Sequence, residues 1–149
     1  MHTKNIITAG TDLADAKKAM ILLHGRGGNA EDILGLANSF PLKDVALFAL
    51  QATHNTWYPN SFLAPPAQNE PGLTSALEVI SELVEEIKSQ GIAAEDIYFC
   101  GFSQGACLVL EYVTRNARKY GGIAAFTGGL QGETINEDNY DGDFKGTRV

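Results

Sequence analysis

Residues 97–113, IYFCGFSQGACLVLEYV, carry an apolar run into Gly101-Phe102-Ser103-Gln104-Gly105 and out into a second apolar stretch. IYFC (97–100) reads as a short buried strand, and Ala106 to Arg118 as a helix. One serine between two glycines at a strand-to-helix junction matches G-x-S-x-G, the nucleophile elbow. The spacing has a steric cause. The turn is so tight that the serine takes a strained backbone and lifts its hydroxyl above the sheet, where side chains two residues either side would collide. The same turn aims the backbone N–H of Gln104 outward from the positive end of the helix. Ser103 is therefore the candidate nucleophile; the competing reading is a glycine-rich turn with an idle serine.

Outward from this junction, apolar runs alternate with longer periodic segments. AMILL (19–23), VALFAL (45–50) and GIAAF (122–126) read as further buried strands, and NIITAG as an edge strand. EDILGLANSF follows Asn29, a good N-cap, as a helix. Leu73, Leu77, Ile80, Val84 and Ile87 recur at helical spacing across 73–89, with Gly91 placed to end that helix. Arg115, Arg118 and Lys119 fit the end of the 106–118 helix, where cations suit the dipole. Strand and helix in alternation, with strands apolar throughout, predict a single α/β domain over 1–149 with a mostly parallel sheet covered on both faces. The segment 51–71, QATHNTWYPNSFLAPPAQNEP, breaks the rhythm. Its Trp57, Tyr58 and Phe62 argue against disorder and leave two readings, a ligand-lining loop or a packed Ω-loop.

The bulk numbers exclude several classes. With 149 residues and a net charge of −7, the chain is long enough for a real core and unsuited to nucleic acid. No stretch has signal-peptide or membrane-spanning length, which predicts a soluble cytoplasmic protein without stable membrane insertion. Cys100 and Cys107 lie within apolar stretches, as buried reduced thiols do. In NEDNYDGDF, Asp138, Asp141 and Asp143 read as a solvated loop. With Asp138 as first ligand, Tyr140 and Gly142 stand where a calcium loop needs oxygen donors. No metal or cofactor is implied.

The strand AMILL leads into His24-Gly25-Arg26-Gly27-Gly28, where glycines Gly25 and Gly27 let the backbone approach a substrate. The N–H of Arg26 is assigned as a second oxyanion donor. GRGGNA (25–30) also fits the dinucleotide fingerprint, but that motif wants an acid at the end of the next strand, and VALFAL is followed by Gln51.

LLHGRGG, TWYPNSF and GFSQGA together resemble the phospholipase/carboxylesterase branch of the α/β-hydrolases, which includes acyl-protein thioesterases. The likeness runs from about Lys18 onward with the three motifs in order. It implies a three-layer α/β-hydrolase fold and a serine hydrolase that cleaves small esters or thioesters through an acyl-serine. In that resemblance Ser103 is the nucleophile, Gln104 and Arg26 are oxyanion donors, and Trp57 and Tyr58 lie near the acyl pocket. His24 is implied to be structural.

The triad order of this fold is Ser, then Asp or Glu, then His. His2, His24 and His54 all precede Ser103, so acid and base are not found among these residues. His54, in the aromatic loop, is the one histidine left to consider, and without an acid partner it reads as a surface or packing residue. GTRV (146–149) reads as the entry to a further strand. The expectation is a carboxylesterase lacking its last strands and helices, inactive or nearly so as these 149 residues. The alternative is a non-catalytic acyl- or small-molecule-binding protein of the same fold.

Overall fold

A computed structural model describes residues 1–149. Its strands are β1 Ile6–Gly10, β2 Lys18–Leu23, β3 Val45–Leu50, β4 Ile97–Phe102 and β5 Gly122–Phe126. Its α-helices are α1 Ala30–Ala37, α2 Gly72–Ser89 and α3 Gln104–Arg115. The strands form one sheet in the order β1-β3-β2-β4-β5. β3, β2, β4 and β5 run parallel, and β1 pairs antiparallel with β3 at the edge.

The apolar runs are explained by burial on both faces. Ala19, Ile21, Leu23, Ala46, Phe48 and Leu50 join the core beneath α2 and α3, whereas Met20, Leu22, Val45, Leu47 and Ala49 join the core beneath α1. This is the three-layer arrangement that the alternation predicts. The α2/α3 side is the larger, with 25 buried residues against nine. Helix α2 turns Leu73, Ala76, Ile80, Leu83, Val84 and Ile87 inward at intervals of three and four residues. Each large aliphatic side chain buried there contributes about 1.5–3 kcal/mol.

Helix α1 starts where Asn29 predicts, its Oδ1 accepting the Asp32 N–H at 2.8 Å. Helix α3 differs from expectation at both ends. It begins at Gln104 rather than Ala106, because Ser103 itself makes the turn (φ 54°, ψ −116°) and Gly105 is already helical. It ends at Arg115 rather than Arg118, because the Asn116 side-chain amide donates to the Tyr112 carbonyl at 2.9 Å and closes the last turn. Arg118 and Lys119 therefore lie beyond the helix. The segment 51–71 holds two short 3-10 turns, Thr53–Asn55 and Pro66–Asn69, around fully buried Trp57 and Tyr58. Past β5 the chain returns to that strand's outer edge, where the Ile123 N–H donates to the Arg148 carbonyl at 2.9 Å.

Candidate active site

Because β2, β3, β4 and β5 are parallel, their C-terminal ends open onto one edge of the sheet. Three loops meet there: 24–28 after β2, the aromatic loop after β3, and the elbow after β4. A non-glycine residue at φ 54°, ψ −116° costs about 1–3 kcal/mol and needs surroundings that enforce it. Here the Ser103 N–H donates to the Phe126 carbonyl of β5 at 2.9 Å, and its carbonyl accepts from Cys107 in α3 at 3.1 Å. The flanking glycines are required by close approach. A Cβ on Gly101 would lie 2.5 Å from the Gly105 carbonyl oxygen, and one on Gly105 would collide with the carbonyl oxygens of Leu23 and His24. Strand, turn and helix are thus jammed together with no room for methyl groups, and Ser103 stands exposed at the top.

Ser103 opens into a cleft of about 180 Å³ lined also by Arg26, Tyr58, Phe62, Gln104, Cys107 and Thr127. Gln104 is the first residue of α3, so its N–H has no intrahelical acceptor. The Arg26 N–H has no partner among the loop hydrogen bonds. The Gly27 N–H, by contrast, is spent on the Asn55 carbonyl at 2.7 Å. A Cβ on Gly25 would come within 3.4 Å of the Ser103 Cβ, which measures how closely the two loops pack.

The side chains of Gln104 and Arg26 do separate work. The Gln104 Oε1 accepts the Trp57 N–H at 2.8 Å and faces the Thr56 hydroxyl at 3.3 Å, while its Nε2 donates to the Tyr58 carbonyl at 2.8 Å. The Arg26 guanidinium donates to the Thr56 Oγ1 at 3.1 Å and to the carbonyls of Pro59 and Asn60 at 2.9 and 2.7 Å. Buried Asn69 steadies the next stretch, accepting from the Asn60 N–H at 2.8 Å and donating to the Ser61 carbonyl at 2.9 Å. The aromatic loop is therefore both packed and cleft-lining.

Tyr58 reaches the cleft, and Trp57 does not. The Trp57 indole N–H donates to the His24 carbonyl at 2.9 Å, and its ring lies 5.1 Å from the His24 ring and 5.4 Å from that of His2. Burial drives the Tyr58 hydroxyl to hold its proton, opposed by a hydrogen bond from the Gln131 side chain at 2.9 Å and, more weakly, by the nearby Arg26 charge. Gln131 leads to buried Glu111 of α3, which receives the Tyr140 hydroxyl and the Arg115 guanidinium.

The histidines are placed elsewhere. His24 Nε2 accepts the Ala52 N–H at 3.1 Å and its Nδ1 faces the Gly25 carbonyl at 2.7 Å; burial lowers its pKa below 6.5. His2 Nδ1 accepts the Thr53 N–H at 3.1 Å, and its Nε2 donates to the Trp57 carbonyl at 2.8 Å. His54 is exposed and lines a separate cleft beside Met1 and Glu70. Asp138, Asp141 and Asp143 are exposed. For the dinucleotide fingerprint, the Gln51 side chain is decisive. Its Oε1 accepts the Ala30 N–H at 2.9 Å, so the α1 N-terminus is capped from within by Asn29 and Gln51.

Sequence reading missed Cys107, Thr127, Glu111 and Gln131. Cys107 had a signal, since it lies one helical turn from Ser103, and Thr127 follows the last parallel strand. Glu111 reads in sequence as the polar face of an amphipathic helix.

No helix of this chain is long and apolar enough to cross a membrane. The chain is 60% identical to a crystal structure of a phospholipase/carboxylesterase from Dyadobacter fermentans, with a TM-score of 0.96, over 98% of this chain and 70% of that one. It is 29% identical over 130 residues to acyl-protein thioesterase 1 of Eremothecium gossypii, covering 76% of this chain and 55% of the relative. A probable carboxylesterase of Oryza sativa is 35% identical over 71 residues, 47% of this chain and 27% of the relative. The chain spans about half the length of the first two curated relatives it matches. The family profile described as Phospholipase/Carboxylesterase matches residues 5–141. With the sheet order, the elbow and these likenesses in hand, the chain belongs to the phospholipase/carboxylesterase family of α/β-hydrolases.

Proposed function

We propose that Ser103 is the nucleophile of a carboxylic-ester or thioester hydrolase. The observation that carries this reading is the strained, enforced backbone of Ser103 beside two N–H groups, of Gln104 and Arg26, that neighbouring loop and helix leave unspent. The Ser103 Oγ adds to the carbonyl carbon, and the negative charge that develops on its oxygen is held by those two N–H groups. Collapse breaks the bond to the alcohol or thiol, which leaves with a proton and an acyl group on Ser103. Water then adds to that acyl carbon and releases the acid. No imidazole or carboxylate lines the cleft of these 149 residues. The isolated chain is therefore expected to acylate slowly, with the oxyanion donors retaining a remnant of the rate.

The lining also favours a second reading, an acyl- or small-molecule-binding protein that does not turn its ligand over. Intact mass after exposure to a fluorophosphonate separates the two. A single adduct that maps to Ser103 and disappears in Ser103→Ala supports the nucleophile. Absence of any adduct on the folded chain, with ligand affinity unchanged in Ser103→Ala, supports the binding protein instead.

A further inference from the structure

The Ser103 cleft carries one charged side chain, Arg26, and nothing in the structure neutralises it. The ion pairs of the chain are Lys4–Glu86, Lys88–Glu85 and Arg115–Glu111; Arg26 belongs to none. Its guanidinium is nonetheless fixed, because three of its five N–H groups are committed to Thr56, Pro59 and Asn60. One N–H on Nε and one on Nη2 remain uncommitted, enough for a two-point grip on a carboxylate or phosphate. Arg26 also borders a second cleft of about 360 Å³ toward α1, but Asp32 lines that one and repels anions. The Ser103 side has no carboxylate, and the α3 N-terminus adds positive potential there. In a chain of net charge −7, this is an isolated electropositive recess. At about 180 Å³ it has room for roughly six water-sized groups.

Resting on the ester or thioester reading above, we propose that Arg26 is a specificity residue. The cleft takes a short acyl group that carries its own anionic oxygens, a carboxylate or a phosphate, within a few bonds of the carbonyl. The guanidinium binds this permanent charge, while the Arg26 and Gln104 N–H groups serve the transient one.

The test is equilibrium binding by calorimetry to the full 149-residue chain at low ionic strength, with monomethyl succinate and methyl phosphate as anionic probes and dimethyl succinate as the neutral one. The expected result is that an anionic probe binds more tightly than the neutral one, weakens as salt is raised, and loses about tenfold or more in Arg26→Gln. Arg26→Lys keeps part of the preference. Thr56→Val loosens the guanidinium's tie to the loop while keeping the charge, and it too retains the preference. Melting temperature and Trp57 emission report whether each variant keeps its loop. Equal affinity for charged and neutral probes, or an Arg26→Gln loss shared equally by both, overturns the proposal and leaves Arg26 a loop pin. Because binding needs no turnover, Ser103→Ala should retain the anion preference. Failure of fluorophosphonate labelling would then sink the nucleophile and leave this result standing.

Discussion

Replacing Gln104 by alanine removes a side-chain amide without touching the backbone N–H that faces the cleft. Gln104 is 6% exposed, and its amide holds the Trp57 N–H and the Tyr58 carbonyl at 2.8 Å each. Both of those backbone groups belong to buried residues; alanine leaves the Trp57 N–H without a partner, whereas the Tyr58 carbonyl keeps the Thr56 hydroxyl at 3.1 Å. One orphaned group at about 1–3 kcal/mol and one lost hydrogen bond at about 0.5–1.5 kcal/mol give a loss of about 1.5–4.5 kcal/mol, a large share of the roughly 5–15 kcal/mol that holds a domain. The melting temperature should fall by roughly 4–15 °C. Trp57 is the only tryptophan, so its emission should shift to the red if the loop loosens before the fold does. Gln104→Glu refines the test. The introduced carboxylate can still accept from Trp57 but cannot donate to the Tyr58 carbonyl, so folding raises its pKa above the unfolded value near about 4.3. Its penalty relative to wild type should be smallest below that value, where the protonated form donates as the amide does. It should then grow as pH rises through the raised folded-state pKa. A loss below about 1 kcal/mol in Gln104→Ala with unchanged Trp57 emission would refute the reasoning, as would a pH-independent penalty in Gln104→Glu.

His24 should make the wild-type chain acid-sensitive. Its pKa is lowered by burial below the ordinary 6.5, so the stability it contributes is present above about 6.5 and lost as pH falls through the lower folded value. Urea midpoints across that range should decline, and His24→Gln, which keeps an acceptor for the Ala52 N–H without titrating, should flatten the profile; an unchanged slope would remove His24 from the account. Glu111→Gln takes the charge away from Arg115, which is 29% exposed and so partly screened, and weakens the grip on Tyr140. A loss of about 1–3 kcal/mol is expected, with faster proteolytic cutting across 131–140; unaltered cutting would show that Glu111 does not anchor that segment.

The elements that could be read from sequence are those whose cause is local. AMILL and VALFAL are apolar at every position because both faces are covered, and Asn29 caps the helix that follows it. The direction of β1 was not legible, since it is fixed by pairing with β3 some 40 residues away in sequence. Helix α3 was misplaced by two residues at its start because Gly105 looked like part of the turn. Its helical placement becomes clear only once Ser103 is seen to take the left-handed φ. Ser103, Gln104 and Arg26 stood out through their glycines, whereas the side-chain roles of Gln104 and Arg26 depend on loop atoms 30 to 48 residues distant. The resemblance places Trp57 near the acyl pocket; its backbone meets the cleft-lining Gln104 side chain, and its ring lies between two imidazoles, contacts that no local sequence signal announces.

The Thr56 hydroxyl lies within 3.1 Å of the Arg26 Nη1 and 3.3 Å of the Gln104 Oε1, so the two clasps on the aromatic loop share one atom. Energies at positions 26, 56 and 104 should therefore not add. Once one clasp is gone, losing the other costs less, with coupling of about 0.5–3 kcal/mol in a double-mutant cycle. Substitutions at exposed Glu31 on α1 and at exposed Glu78 or Glu82 on α2 lie away from these clasps and should combine independently. A lineage of such chains can alter those helices one residue at a time. The loop and its clasps can be exchanged only together.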